Sequence, residues 1–186
     1  MCIRDSIEGE TRVLPGPFIV LATQNPVEHE GVYDLPEAQV DRFAFKVLLG
    51  YPSFEEERQM LSTYSEVIPD VAEVLSPQSV LELSEAVERV FMSPELLDFV
   101  VRVVQRTREH ESVLLGASPR ASLALMRCSK ARALLAGRGH VLPDDIRAIA
   151  SHALVHRLIL TPEAELDRVA PQEIIEACLN ATPYAP

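Results

Sequence analysis

Basic residues are scarce in this 186-residue chain: 17 Lys and Arg against 28 Asp and Glu give a formal net charge of −11. Nucleic acids and anionic lipids are generally bound by net basic surfaces, so neither is an expected partner. The three cysteines, Cys2, Cys128 and Cys178, show no paired spacing, which fits a reducing compartment. No apolar run reaches the length of a membrane span, and the N-terminus has no hydrophobic signal region. We therefore expect a cytoplasmic protein with no nucleic-acid partner and no integral membrane segment.

The first fifty residues predict an α/β segment, whereas the rest of the chain predicts helices. Hydrophobic residues make up 47% of the sequence, which is enough for a packed core. The run PFIVLAT (17–23) is short, apolar and rich in branched residues, as expected for a strand buried in a parallel sheet. A second strand is predicted at RFAFKVLLG (42–50), and a short helix near 36–41 lies between the two. From about Ser53 onward the pattern is mostly helical.

Hydroxyl residues directly before prolines mark most of the predicted helix starts. Proline suits the first helical position, and a Ser or Thr before it can accept a hydrogen bond from a free backbone N–H. Such pairs begin at Ser76, Ser93, Ser118 and Thr161. Ser53 and Glu56 have the spacing of a capping box, and Pro143 is followed by two acidic residues that favour a helix N-terminus.

Apolar spacing also predicts the buried faces of the two longest helices. In the first, from Ser93 to about His110, the predicted face carries Leu97, Val100, Val101 and Val104, and Leu96, Phe99 and Val103 are interpreted as core. In the second, over 119–136, it carries Ala121, Ala124, Leu125, Cys128 and Leu135. Gly137 then suits a C-terminal cap, because glycine readily adopts the left-handed conformation.

Three polar residues are candidates for a functional site. Asn25 follows the first predicted strand, where open α/β sheets bind ligands, although Asn25-Pro26 can equally begin a simple turn. Arg42 lies between the short helix and the second strand, where a surface arginine is the ordinary alternative. Arg120 lies in the first turn of a predicted helix, where a cation opposes the helix dipole. Together with the free N–H groups it would suit a phosphate, and an arginine reaching past the helix end is the alternative.

Two histidines, His152 and His156, are spaced four residues apart. Ala153 follows the first of them, so the H-E-x-x-H zinc motif is absent. We therefore predict a structural or surface role for both and no metal site.

Two long stretches of the chain resemble the MoxR family of AAA+ ATPases. PFIVLATQNPVEHEGVYDLPEAQVDRFAFKVLLGYPSFEEE (17–57) is similar to part of the ATPase core, and GASPRASLALMRCSKARALLAGRGHVLPDDIRAIASHALVHRL (116–158) is similar to the lid. The resemblance covers about residues 8–182. It implies the C-terminal part of an AAA+ P-loop NTPase core, with two strands plus a helix, followed by a helical lid domain. We expect core at 1–51, connecting helices at 52–110 and lid at 111–186, with MCIRDS (1–6) as a candidate non-native start.

The resemblance implies a role for each candidate residue. Asn25 holds the place of sensor 1, which positions the attacking water and the γ-phosphate of ATP. Arg42 holds the place of the arginine finger, which reaches the nucleotide of a neighbouring subunit. Arg120 holds the place of sensor 2, which couples the lid to the nucleotide, and the sequence leaves open whether that nucleotide is its own subunit's or the neighbour's.

For the full-length protein, the resemblance implies an ATPase that uses ATP and Mg²⁺ in a homo-oligomeric ring, expected to be a hexamer. The implied activity is chaperone-like remodelling or maturation of protein complexes, with a von Willebrand factor A domain protein as a partner. The sequence does not identify the client complex.

Parts of the expected ATP site are missing from the chain. It contains no G-x-x-x-x-G-K-[ST] motif, and no apolar strand ending in paired acids precedes residue 17. We therefore expect the chain to be inactive by itself, with ATP and Mg²⁺ held mainly by other segments. Two alternatives stay open: a non-enzymatic helical adaptor that retains the AAA+ interface, and a magnesium-chelatase-like motor subunit. The net charge of −11 disfavours a replicative helicase.

Overall fold

The computed structural model describes residues 4–7, 10–24, 35–64 and 71–184. Its contacts divide the chain into two compact units, Met1–Val20 with Val47–Leu83 and Leu21–Lys46 with Ser84–Pro186. The elements in chain order are β1 (Arg4–Ile7), β2 (Glu10–Val13), α1 (Glu37–Val40), α2 (Phe54–Tyr64), α3 (Pro77–Arg89), α4 (Pro94–Glu109), β3 (Val113–Leu115), α5 (Pro119–Leu135), α6 (Pro143–Leu154), a 3₁₀ turn (Val155–Arg157), β4 (Ile159–Leu160), α7 (Pro162–Leu166) and α8 (Pro171–Ala181). From Ser53 onward the described residues are thus mostly helical, as predicted.

The first unit contains a hairpin followed by helical segments. Its strands β1 and β2 pair antiparallel, with Arg4 opposite Val13 and Ile7 opposite Glu10. The predicted capping box at the start of α2 is present, because the Ser53 N–H donates to Glu56 Oε2 over 2.8 Å. The Glu56 N–H donates in return to Ser53 Oγ over 3.4 Å.

The second unit has its core where α4, α5, α6 and α8 pack together. Burial of a large aliphatic or aromatic side chain stabilises a fold by roughly 1.5–3 kcal/mol. The largest apolar side chains that are fully buried here are Phe99, Val100, Val103, Val104, Leu125, Ile146, Leu154, Ile174 and Ile175. None of the helices in the described ranges is both long and apolar enough to cross a membrane.

A short antiparallel sheet lies beside this core. Val113 in β3 pairs with Leu160 in β4, and Leu115 pairs with Ile159 across an irregularity in the register. Because β3 follows α4 and leads directly into α5, the sheet fixes the place where α5 begins.

The hydroxyl caps predicted before prolines are confirmed. Ser93 accepts a hydrogen bond from the Leu96 N–H, and Ser118 accepts one from the Arg120 N–H over 3.2 Å. Ser76 and Thr161 accept in the same way from the N–H groups of Ser79 and Ala164. These bonds use backbone donors that the first helical turn leaves free.

Gly137 ends α5 as predicted. Its φ is +72°, and its N–H donates to the Leu134 carbonyl over 2.8 Å. The next residue, Arg138, donates its N–H to the Ala133 carbonyl over 2.9 Å. This pair of bonds is the Schellman arrangement, which the left-handed conformation of glycine permits.

The two predicted strands are not formed, although the short helix between them is present as α1. Residues 17–23 and 42–50 pair with no strand in the part of the chain that the structure describes. Their apolar side chains are instead largely exposed, with Leu21 at 90% and Leu49 at 94%. A continuous apolar run makes a strand only where neighbouring strands satisfy its backbone and cover both faces.

The predicted helix faces are only partly correct. In α4 the buried set is Leu96, Phe99, Val100, Val103, Val104 and Thr107, whereas Leu97 is 39% exposed and Val101 is 44% exposed. In α5 the buried set is Ala121, Leu125, Ser129 and Ala133. Ala124 and Cys128 are only half-buried, and Leu135 is 86% exposed. The buried stripe of α5 continues through Ser129, whose hydroxyl donates to the Leu125 carbonyl and therefore needs no water.

Candidate functional site

Two of the three predicted site residues lie in the second unit, and Asn25 lies outside the described residues. Arg42 lies two residues after the last residue of α1, and its N–H donates to the Gln39 carbonyl over 3.1 Å. Its side chain is exposed and has no ion-pair partner among the residues that the structure describes. Arg120 lies in the first turn of α5 with 63% of its side chain exposed. Both guanidinium groups are thus accessible.

Asp41, the residue before Arg42, connects the two arginines. The hydroxyl of Ser118 donates its one hydrogen to the Asp41 carboxylate and lies 2.9 Å from each of its oxygens. The Nε atom of Arg120 lies 4.0 Å from Asp41 Oδ2. The structure therefore brings Arg120 into contact with the residue next to Arg42.

A buried arginine, Arg157, holds the same segment from within the second unit. Its side chain is only 3% exposed, and its Nε lies 3.1 Å from Asp41 Oδ1. This contact is an ion pair rather than an aligned hydrogen bond, since Nε has no hydrogen-bond partner among the described residues. Nη2 donates to the carbonyl oxygens of Asp41, over 3.0 Å, and Phe43, over 2.8 Å. Nη1 donates to the Ala153 carbonyl in α6 over 2.9 Å.

The electrostatics of this cluster depend on Asp41. Burial lowers the pKa of Arg157, and the negative charge of Asp41 acts in the opposite direction. Arginine starts from a pKa so high that the guanidinium stays protonated in proteins. The cluster is therefore a buried cation that is neutralised by one carboxylate and three backbone carbonyl oxygens.

The two histidines have structural contacts, as predicted. His156 Nε2 lies 3.0 Å from the Phe43 carbonyl oxygen, so this nitrogen carries the hydrogen and donates it. Its Nδ1 is buried without a partner among the described residues, and burial lowers the pKa of the imidazole. The carbonyl of His152 accepts from the Lys46 N–H over 3.0 Å, and its ring meets Phe45 edge-on. Nowhere in the described ranges do three or more His, Cys, Asp or Glu side chains cluster to hold a metal ion.

A cavity of about 650 Å³ adjoins this cluster between α1 and the segment that leads from β3 into α5. Apolar side chains such as Val40, Leu115 and Ile159 line it together with Asp41 and Arg157. Cavities of this size can hold a small molecule or a short segment of another chain.

Asp41 and Arg157 are the residues that the sequence analysis missed. Both lie within the stretches that carry the family resemblance, in the triplets DRF and HRL. Burial of Arg157 is invisible to pattern analysis, because arginines are mostly exposed and no periodicity distinguishes the exceptions. The available signal was Asp41, the acidic residue next to Arg42, because a buried cation such as Arg157 needs an acidic partner.

Family models match two parts of the chain. Residues 105–178 match the AAA lid domain, which covers α5, α6 and the sheet beside them. Residues 3–45 match the ATPase family associated with various cellular activities (AAA), and this match contains Arg42. It begins within the six residues that the sequence analysis left outside the family resemblance.

Two relatives are similar over nearly the whole chain. The Mycobacterium tuberculosis protein named Chaperone MoxR1 is 44% identical over 184 residues, which are 94% of this chain and 49% of that protein. The Bacillus subtilis protein named Uncharacterized protein YeaC is 44% identical over 178 residues, which are 95% of this chain and 56% of that protein. The chain therefore spans about half the length of the curated relatives it matches.

A solved structure supports the same assignment. The crystal structure of a candidate ATPase from Cytophaga hutchinsonii is 38% identical and superposes with a TM-score of 0.92. The match covers 98% of this chain and 59% of that one. Together with the lid and AAA matches and the similarity to MoxR1, it shows that the chain belongs to the MoxR family of AAA+ ATPases.

Proposed function

We propose that this chain is the C-terminal part of a ring-forming ATPase that couples ATP binding and hydrolysis to chaperone-like remodelling of protein complexes. The AAA family match supports nucleotide use, and the similarity to a protein named Chaperone MoxR1 supports the chaperone-like activity. On the basis of the family resemblance, the proposal also includes a hexameric ring and a von Willebrand factor A domain protein as a partner. The client is unassigned.

The observation that carries the proposal is the contact between Arg120 and Asp41. Arg42 is the next residue after Asp41, so the exposed Arg120 contacts a carboxylate whose neighbour in the chain is the exposed Arg42. Phosphoryl transfer gains most from cations placed where charge develops on the transferring group. If Arg42 reaches the nucleotide of a neighbouring subunit, Arg120 is placed to reach that same nucleotide. We therefore propose that both arginines act across the subunit interface.

The residues present fit one end of a bound nucleotide. Arg120 lies in the first turn of α5, where the positive end of the helix dipole favours an anion. Its guanidinium is mostly exposed, and its 4.0 Å contact with Asp41 is loose enough to be exchanged for a phosphate. Mg²⁺ would stabilise the charge on the phosphates, and the described residues offer no carboxylate cluster to hold it.

The decisive experiment compares alanine variants in the intact ATPase. Arg42→Ala and Arg120→Ala should each lower turnover at least about tenfold while ATP affinity changes only a few-fold, because transition-state contacts affect turnover more than ground-state binding. Arg127→Ala, an exposed arginine of the same helix, is the matched control and should leave turnover within about twofold. Unchanged turnover in the Arg42→Ala enzyme would contradict the proposal.

Mixed rings separate action in trans from action within one subunit. Subunits with Arg120→Ala are combined with subunits that lack the phosphate-loop lysine. If Arg120 acts in trans, mixing restores activity, because an intact phosphate loop then meets an intact Arg120 from its neighbour. If Arg120 serves its own nucleotide, no subunit in the mixture has a complete site and activity stays low.

The 186-residue chain should not hydrolyse ATP by itself. It contains no phosphate-loop motif, so the lysine and the backbone cradle for the phosphates are missing. A metal-dependent ATPase activity of the chain that Arg42→Ala abolished would contradict this. Binding of a client without any nucleotide effect would favour the adaptor alternative.

A further inference from the structure

We infer that Arg157 is a positioning residue through which the lid fixes the backbone that carries Arg42. The inference rests on the proposed function, since it takes Arg42 as the arginine that meets the nucleotide. Arg157 itself is buried and contacts only protein groups. Its effect on the reaction would therefore pass through Arg42.

The geometry singles out the peptide groups around Arg42. Nη2 of Arg157 donates to the carbonyl oxygens of residues 41 and 43, which are the neighbours of Arg42 on either side. The carboxylate of Asp41 pairs with Nε of the same guanidinium. One planar group thus holds the backbone immediately before and after Arg42. The exposed side chain of Arg42 extends from a backbone segment that has little freedom to shift.

The other end of the guanidinium ties this segment to the lid. Nη1 of Arg157 donates to the Ala153 carbonyl in the last turn of α6. Two more bonds join the same parts of the chain: His156 Nε2 donates to the Phe43 carbonyl, and the Lys46 N–H donates to the His152 carbonyl. The segment 41–46 and the end of α6 therefore move together. A nucleotide-dependent movement of the lid would carry Arg42 with it.

Arginine is required for this task because of its fixed fork of donors. Five N–H groups in one plane can serve several carbonyl oxygens and a carboxylate at once. Lysine has the same charge and can keep the ion pair with Asp41, but its single ammonium cannot span the carbonyl oxygens of residues 41, 43 and 153. Arg157→Lys therefore changes the positioning and preserves the charge.

The test is a double-mutant cycle in the intact ATPase, with Arg157→Lys measured alone and in an Arg42→Ala background. Alone, Arg157→Lys should lower kcat about tenfold and leave KM for ATP within about threefold, because the misplaced group acts in the transition state. With Arg42 already removed, Arg157→Lys should lower kcat by less than about twofold, because the side chain that Arg157 positions is no longer there. A general structural defect would lower kcat by the same factor in both backgrounds, and that result would overturn the inference.

Arg138→Lys is the matched control. Arg138 likewise pairs with a carboxylate of the second unit, Asp145, through two hydrogen bonds, and no hydrogen bond joins it to residues 41–43. Arg138→Lys should lower the Tm as Arg157→Lys does, but it should leave kcat within about twofold. Equal kcat losses in the two lysine variants would show that loss of the donor fork of any paired arginine in the lid is sufficient, and would overturn a special role for Arg157.

Hydrogen exchange tests the clamp without any ATPase assay. In the 186-residue chain, the amides of Arg42 and Phe43 donate to the carbonyls of Gln39 and Val40. Arg157→Lys should speed their exchange at least about tenfold, whereas Arg138→Lys should not. Unchanged exchange would overturn the clamp even if the ATPase proposal holds. Normal turnover in Arg42→Ala with fast exchange in Arg157→Lys would instead refute the proposed function alone.

Asp41→Asn is the second variant if Arg157→Lys does not fold. It removes the ion pair but keeps the carbonyl oxygens that Arg157 binds. Because Asp41 also contacts Arg120, the comparison is made in Arg120→Ala enzyme. There Asp41→Asn should lower kcat about threefold with Arg42 present and not at all with Arg42→Ala added. Equal losses in both would overturn the inference in the same way.

Discussion

Arg138 and Asp145 form a two-point ion pair, with Nη1 2.8 Å from Oδ2 and Nη2 2.7 Å from Oδ1. Asp145 is 2% exposed and also accepts the Leu142 N–H over 2.8 Å. The hydrogen bond from Arg138 holds the pKa of this carboxyl below its usual value. One carboxylate thus caps the N-terminus of α6 and binds Arg138 in the loop before it. Leu142 cannot supply a side-chain cap, so Asp145 takes over part of that task.

Asp145→Asn should therefore destabilise the fold strongly. The change removes the charge of a carboxylate that is only 2% exposed and pairs with Arg138, so the free energy of unfolding should fall by more than in the control. Asp144→Asn is the control, because Asp144 is exposed in the same helical turn and should cost less than about 1 kcal/mol. Urea unfolding of both variants measures the difference. Equal free energies of unfolding would show that the ion pair contributes nothing.

Gly116→Ala should also destabilise the chain, for a steric reason. A Cβ atom at Gly116 would lie 2.6 Å from both the Cα and the backbone N of Arg108. Backbone atoms of α4 cannot move aside as a flexible side chain could, so we expect a cost of about 1–3 kcal/mol. At Gly139 an added Cβ meets no atom within 4 Å, and Gly139→Ala is the matched control. A Tm for Gly116→Ala equal to that of the control would contradict this account.

The helical half was predictable because its signals are local. Ser93, Ser118 and Thr161 cap the helices that follow them, and Gly137 ends α5 with a positive φ. Each of these features depends on a few consecutive residues, whose own chemistry decides the outcome. The buried faces were harder to predict, since Leu97 satisfies the same periodicity as Phe99 and only tertiary packing decides between them.

Two errors of the sequence analysis have a different cause: it predicted strands that do not form, and it did not identify Arg157. Residues 17–23 need neighbouring strands before their apolar run can become a strand, and the described residues provide none. Arg157 contacts Asp41 across more than 100 positions of sequence, so no local window contains both partners. Positions of Arg42 and Arg120 could be inferred from family motifs, but their connection through Asp41 could not.

Limited proteolysis should distinguish the two units of the isolated chain. Residues 14–24 and 47–64 expose apolar side chains, among them Ile19 at 71% and Tyr51 at 102%. Segments with few buried contacts open at low cost and are cleaved first. We expect a broad-specificity protease to leave a resistant fragment that begins near Ser84 and contains α4 to α8, with a peptide that includes residues 41–46 still bound to it. A resistant fragment made of residues 14–64 would contradict this expectation.

The stability of the chain should fall as His156 is protonated. Its Nε2 donates to the Phe43 carbonyl, so in the neutral ring the buried Nδ1 carries no hydrogen. Protonation would place an N–H there with no acceptor among the described residues, and an unsatisfied buried donor is costly. Burial is the main cause of the lowered pKa, and the nearby Arg157 and Lys46 add to it. The Phe43 carbonyl and Asp41 act in the opposite direction.

The sign of the pH effect follows from that lowered pKa. In the unfolded chain the imidazole titrates near its ordinary value of 6.5, whereas in the folded chain it binds a proton only at lower pH. The unfolded state therefore binds more protons between these two values, so the free energy of unfolding must fall as the pH falls through that window. Well above pH 7 both states are neutral at this site and the effect fades.

His156→Gln isolates this contribution. Glutamine can donate an amide N–H to the Phe43 carbonyl, but it does not titrate. Chemical unfolding at pH 7.5, 6.5 and 5.5 should show the wild-type chain losing more stability than the His156→Gln chain as the pH falls. His140→Gln, at an exposed site, should follow the wild-type curve. Parallel curves for wild type and His156→Gln would mean that the folded chain protonates His156 as easily as the unfolded chain does, and that water reaches Nδ1.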